Sequence, residues 1–178
     1  MKRYLTLWNV LGLALLLLGA IVYIYAGRQP RTDVVNLNVS AEEPLEPQET
    51  VLRLYFAKPD ASGFVVEKRK VTLEPNESVY QRALIELAKG PRQSGEPILP
   101  PGSAAPTVFV SGRSAYVDLP REYSRLGYGT TGETLLIYGI ANTVLDQGPV
   151  DEVWFLIGGE PAKTLGHLSL LEPIRRRR

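Results

Sequence analysis

Cysteine is absent from the 178-residue chain, which excludes disulfides, thiolate nucleophiles, Cys-ligated metals and lipid attachment through a cysteine. A single histidine, His167, with no cysteine to join it, leaves no His/Cys metal set. No serine stands in a G-x-S-x-G elbow. Charge of one sign is also lacking. Residues 50–174 carry 12 Lys and Arg against 14 Asp and Glu, so the body of the chain has no basic surface with which to neutralise phosphates, and nucleic acid is not an expected partner. No enzyme, metal or cofactor is expected on these grounds. What is present is ordinary for a folded domain: 44% apolar and 22% charged residues.

One long uncharged run stands out. Residues 7–26 contain no charge, and Asn9 is their one strongly polar residue. As a helix they would span about 30 Å, the thickness of the hydrocarbon core. Trp8 near one end and Tyr23 and Tyr25 near the other suit the two interfaces. A cleaved signal peptide is the alternative, but its apolar region is usually about 7 to 15 residues. The expected organisation is a cytoplasmic 1–6, a membrane anchor over 7–26, a linker over 27–49, a domain over 50–174 and a basic tail over 175–178. Lys2 and Arg3 against Arg28 and Arg31 leave the orientation weakly determined; the N-terminus is placed in the cytoplasm and the domain outside.

The linker is rich in Pro and Glu and reads as a tether, with a weak alternation at Val34–Val39. The domain opens with a period-two strand over Val51–Ala57 and a second over Phe64–Leu73, whose Glu67, Lys68, Arg69 and Lys70 suit a solvated edge. A helix over Val79–Lys89 has Ser78 and Gln81 as a capping box and Gly90-Pro91 as its stop. After a five-proline connection come strands at Thr107–Val110 and Ser114–Leu119 around Gly112. A second helix over Thr131–Asp146 has Thr130 and Glu133 as its capping box, and a last strong strand runs over Glu152–Ile157. The order β-β-α-β-β-α-β predicts an α+β sandwich, a mixed sheet with two helices on one face.

Several patterns bear on chemistry. Gly127, Gly129 and Gly132 match G-x-G-x-x-G, yet Pro120–Leu126 separates them from the preceding strand, so they read as a helix entry. Asp118 and Glu122 are the best carboxylate pair for an envelope hydrolase; the competing reading has Asp118 capping the turn into Arg121 and Tyr123. His167 reads as a turn residue, and Asn38 and Asn76 open formal glycosylation sequons. The alternation of the strands puts Tyr55, Phe109, Tyr116, Trp154 and Leu156 together on the sheet face away from the helices. An aromatic face of this kind either binds a partner or ligand or shields an ordinary sheet.

Five motifs together resemble the GerMN domain, a module of bacterial sporulation, germination and other envelope proteins. They are Tyr80–Leu84 with Leu87 and Gly90-Pro91; Leu99-Pro100-Pro101-Gly102; Ala115–Leu119 with Asp118; Asn142-Thr143; and Val153–Gly158. The likeness covers residues 51–173. It implies an extracytoplasmic domain related to ring-building folds of envelope assemblies, acting by contact with protein or cell wall. The partners expected are the membrane, through residues 7–26, and an envelope protein or a second copy of the chain, with peptidoglycan as an alternative. Asn142, within an apolar helix, is expected to hydrogen-bond a nearby loop backbone.

Overall fold

The computed structural model describes residues 7–26 and 46–176, and the chain divides into two units, residues 1–44 and 45–178. Residues 1–6, the linker through residue 45 with its Val34–Val39 alternation and Asn38, and Arg177 and Arg178 lie outside the described residues.

The first unit holds helix α1, Leu7–Ala26. Its side chains from Val10 to Tyr25 are all exposed. Among the described residues no helix is long and apolar enough to cross a membrane. The helix runs for 20 residues without a charge, about 30 Å at 1.5 Å per residue.

In the second unit, strands β1 (Gln48–Ala57) and β2 (Phe64–Leu73) form an antiparallel hairpin paired over its full length, from Gln48↔Leu73 to Ala57↔Phe64. Gln48 and Glu49, read as linker, therefore belong to β1. Helix α2 (Val79–Ala88) follows; Lys89 is its C-cap, and Gly90 at φ +80 takes the left-handed turn that ends it. Strands β3 (Thr107–Ser111) and β4 (Ser114–Leu119) make a second hairpin across Gly112-Arg113. A 3-10 turn over Arg121–Arg125 leads to helix α3 (Gly129–Leu145), then to β5 (Glu152–Ile157) and the two short strands β6 (Glu160–Pro161) and β7 (Ile174–Arg175).

The element order agrees with the sequence expectation, and the strands fall into two sheets. Among the strands of the described residues β1 pairs β2 alone, while the other five form a mixed sheet in the order β3-β4-β5-β6, with β7 also on β5. Parallel pairing of β4 with β5 requires a crossover, which α3 supplies. Leu52, Leu54 and Phe56 of β1, Leu84 and Leu87 of α2, Ile137 and Ile140 of α3, and Val117 and Val153 of the larger sheet bury into one core. The proline-rich loop belongs to it as well. Ile98 and Leu99 are buried, Glu96 pairs with Ala57, and the Tyr123 hydroxyl meets Ser103 Oγ at 2.8 Å. Burial pushes the Tyr123 phenol up.

Only half of each expected capping box forms, or none. Ser78 Oγ accepts the Gln81 N–H at 3.4 Å, but the Gln81 amide turns outward to β3, donating to the Pro106 carbonyl at 3.2 Å and accepting from the Val108 N–H at 2.9 Å. Thr130 lies inside the first turn of α3, where its carbonyl accepts the Thr134 hydroxyl. Glu133 is buried and accepts the His167 and Leu168 N–H groups at 2.8 and 3.0 Å. The carboxylate is taken by these two donors of a later loop and not by the helix terminus.

Candidate functional site

Phe109, Tyr116 and Trp154 stand in register across β3, β4 and β5, each directly opposite the next. Phe109 is 63% exposed and Tyr116 37%; Trp154 and Leu156 on the same face are half-buried. The indole edge is fixed: Trp154 Nε1 donates to Glu152 Oε1 at 3.1 Å, which also accepts from Ser114 Oγ at 2.9 Å, while Arg175 Nε reaches Glu152 Oε2 at 3.2 Å. Ser114, then Trp154 and Arg175, hold the Glu152 carboxyl below its ordinary pKa. The result is an apolar row with a rigid end.

Two expectations for this face need correction. Tyr55 does not belong to it, because β1 joins the smaller sheet. Val110, which the alternation of β3 turns to the same side as Val108, is 42% exposed while Val108 is buried.

Tyr55 instead lines a groove of about 630 Å3. Its floor is one face of α3, where Thr134, Tyr138 and Asn142 follow at intervals of four with Leu145 and Asp146 beyond. Tyr55 and Phe64, set edge to face with centroids 6.1 Å apart, form one wall. Ile174, Arg175 and Arg176 complete the lining. The Tyr55 hydroxyl donates to Asp146 Oδ2 at 2.6 Å, and Arg53 Nε lies 3.1 Å from the same oxygen. Burial, then the bond to Asp146, pushes the Tyr55 phenol up. Thr143, the residue after Asn142, is buried with Oγ1 accepting the Tyr55 N–H at 3.1 Å. Asn142 departs from its expected role: among the described residues its amide has no hydrogen-bond partner, and it faces the groove.

Residues read as a solvated edge of β2 carry a buried ion network. Arg69 Nε donates to Glu67 Oε1 at 3.0 Å, its Nη1 to Glu86 Oε2 at 3.0 Å, and its Nη2 to the Gly90 carbonyl at 3.0 Å. Gly90-Pro91 therefore has a structural task, setting the end of α2 on this guanidinium. Glu67 Oε2 accepts the Arg92 and Gln93 N–H groups, and Lys89 and Arg92 reach Glu86 from outside.

The remaining candidates are not brought together. Asp118 Oδ1 accepts the Gly159 N–H at 2.9 Å, so it pins the turn after β5 and not the one into Arg121 and Tyr123. Glu122 is exposed on the 3-10 turn, in a different groove from which Asp118 is absent. Gly127 and Gly129 take φ near +60 at the entry to α3, after a 3-10 turn where a nucleotide fingerprint needs a buried strand. His167 Nδ1 lies 3.0 Å from Glu133 Oε1. Among the described residues no cluster of His, Cys, Asp or Glu could hold a metal.

The chain is similar in fold to solved structures at low identity. A candidate lipoprotein from Clostridium perfringens matches with a TM-score of 0.51 at 20% identity, covering 73% of this chain and 88% of that one. The first GerMN domain of the sporulation protein GerM from Bacillus subtilis matches with a TM-score of 0.53 at 19% identity, over 70% of this chain and 93% of that one. The tandem GerMN domains of the same protein give 0.53 at 19%, with 71% of this chain covering 45% of the tandem. No curated protein sequence matches the chain. The family model described as "Germane: Sporulation and spore germination" matches residues 53–163, from within β1 through α2, the second hairpin, α3 and β5, and the chain belongs to that family.

Proposed function

We propose that the chain is a membrane-anchored, non-catalytic interaction module of the bacterial envelope, with α1 crossing the bilayer and the domain on the extracytoplasmic face supporting a protein assembly. The row Phe109, Tyr116 and Trp154 carries this reading. An apolar row that a folded domain leaves in water is stabilised when a partner covers it, and a tethered domain meets partners in the same membrane at raised effective concentration. Support for the anchor comes from the 20-residue uncharged helix with aromatic residues at both ends. The envelope setting draws support from the family and from the likeness to a candidate lipoprotein. Separation of Asp118 from Glu122, and the engagement of Asp118 with Gly159, weigh against the hydrolase reading.

Co-purification from detergent-solubilised membranes tests the contact surface, using the full chain and its Phe109→Ala and Trp154→Ala variants. Loss of one polypeptide from variants that melt like the parent supports the reading. Full retention of every co-purifying polypeptide by both variants removes the sheet face from it.

A further inference from the structure

The groove between the β1–β2 hairpin, α3 and β7 has a chemistry that the aromatic row lacks. Its floor and wall carry three aromatic rings, Tyr55, Phe64 and Tyr138. The first two are locked edge to face, and Tyr55 is further held by Asp146 and Arg53 through its hydroxyl. Preorganised ring surfaces of this kind favour the flat C–H face of a pyranose, since little side-chain entropy remains to be lost on binding.

Asn142 supplies the polar complement. An asparagine in mid-helix costs stability relative to alanine, and a structural bond usually offsets the cost. Here the amide has no partner among the described residues and stands one turn from Tyr138 on the groove floor. It offers one acceptor and two donors side by side. That is the complement of a secondary amide, whose N–H and C=O it can engage together. Apart from the Tyr138 hydroxyl, the other polar side chains of the lining are already committed: Thr134 Oγ1 to the Thr130 carbonyl, Asp146 Oδ2 to Tyr55 and Arg53, Arg175 to Glu152, and Arg176 to the Leu145 carbonyl. With its carboxylate and guanidinium groups engaged in this way, the groove favours a ligand that hydrogen-bonds without carrying charge. From Thr134 to Asp146 the floor extends about 18 Å, enough for several linked rings.

We infer that this groove binds a chain of N-acetylated hexosamines, with the rings stacked on Tyr55, Phe64 and Tyr138 and an acetamido group held by the Asn142 amide. The site shares no residue with the row of Phe109, Tyr116 and Trp154, so the two surfaces can be occupied at once and fail independently.

The test titrates the full chain, in a detergent without a sugar headgroup, with the β-1,4-linked tetramer of N-acetylglucosamine, followed by calorimetry. The glucose tetramer of the same linkage is the control. Parent protein binds the acetylated tetramer at least tenfold more tightly than the control. Asn142→Ala, which raises helix propensity and so leaves the fold intact, weakens the acetylated tetramer about tenfold and abolishes the preference. Tyr138→Ala weakens both sugars, and Trp154→Ala changes neither. No heat of binding with the parent, equal affinity for the two tetramers, or an Asn142→Ala variant that binds like the parent would each overturn the inference.

Discussion

Arg69 and Glu86 form an ion pair in which Nη1 meets Oε2 at 3.0 Å with both side chains only 2% exposed. Glu67, two residues from Arg69 on β2, shares the same guanidinium. A guanidinium between two carboxylates, which also donates to the Glu86 and Gly90 carbonyls, joins the hairpin to the end of α2. Its removal strands two buried anions. Arg69→Met keeps the volume and is expected to cost about 3–5 kcal/mol, the usual penalty for breaking a buried pair from one side. Urea unfolding measures it; a cost below about 1 kcal/mol would show that the carboxylates hydrate without Arg69.

The same network sets the response to acid. Burial raises the Glu67 and Glu86 carboxyls, but bonds from Arg69, joined by the Arg92 N–H at Glu67 and by Lys89 at Glu86, more than offset it and hold both below their ordinary pKa. Glu133 is depressed in the same way, its burial outweighed by His167 and the N–H groups of His167 and Leu168. A carboxyl with a lowered folded pKa contributes stability that is fully present above its unfolded value, about 4.3, and is lost as pH falls through the folded value. The melting temperature is therefore expected to be insensitive to these groups at neutral pH and to fall below about pH 4.3. In Arg69→Met, protonation relieves the stranded anions, so its deficit against the parent should narrow as the pH drops. A deficit that widens in acid would contradict this.

Much of the fold was legible because it rests on periodicity that each residue carries by itself. Leu52, Leu54 and Phe56 alternate into the core as the pattern required, and Gly90-Pro91 ended α2 where expected. Glu67 and Arg69 were misread for a physical reason: a charge is solvated or buried according to what lies opposite, and their partner Glu86 is 17 residues beyond Arg69. Glu133 fitted a local capping pattern but took donors 34 and 35 residues away. Tyr55 followed the right alternation on a strand that joins a different sheet. Single-residue preferences do not encode which strand pairs with which, and the groove depends on that pairing.

Thr143 separates a polar contact from packing. Its Oγ1 accepts the Tyr55 N–H at 3.1 Å in a buried setting, so Thr143→Val preserves shape and leaves an amide unsatisfied. The expected loss is about 1–3 kcal/mol, whereas Thr143→Ser, which keeps the acceptor, should recover the larger part. Paired urea titrations decide it: equal loss in both variants would assign Thr143 to packing.

Lack of cysteine makes the membrane orientation directly testable. Ser111→Cys, exposed at the β3–β4 turn, should react with a membrane-impermeant maleimide in intact cells to the same extent as after permeabilisation. Labelling that needs permeabilisation would place the domain in the cytoplasm.

The interaction surface is tested most directly by site-specific photo-crosslinking in native membranes, with a photoreactive residue at Phe109, at Tyr116 and, as a control, at the exposed Thr72 of β2. Discrete adducts with a second polypeptide from Phe109 and Tyr116, and none from Thr72, are the result expected of a partner seated on the aromatic row. No adduct from either aromatic position, or the same adduct from Thr72, would contradict it.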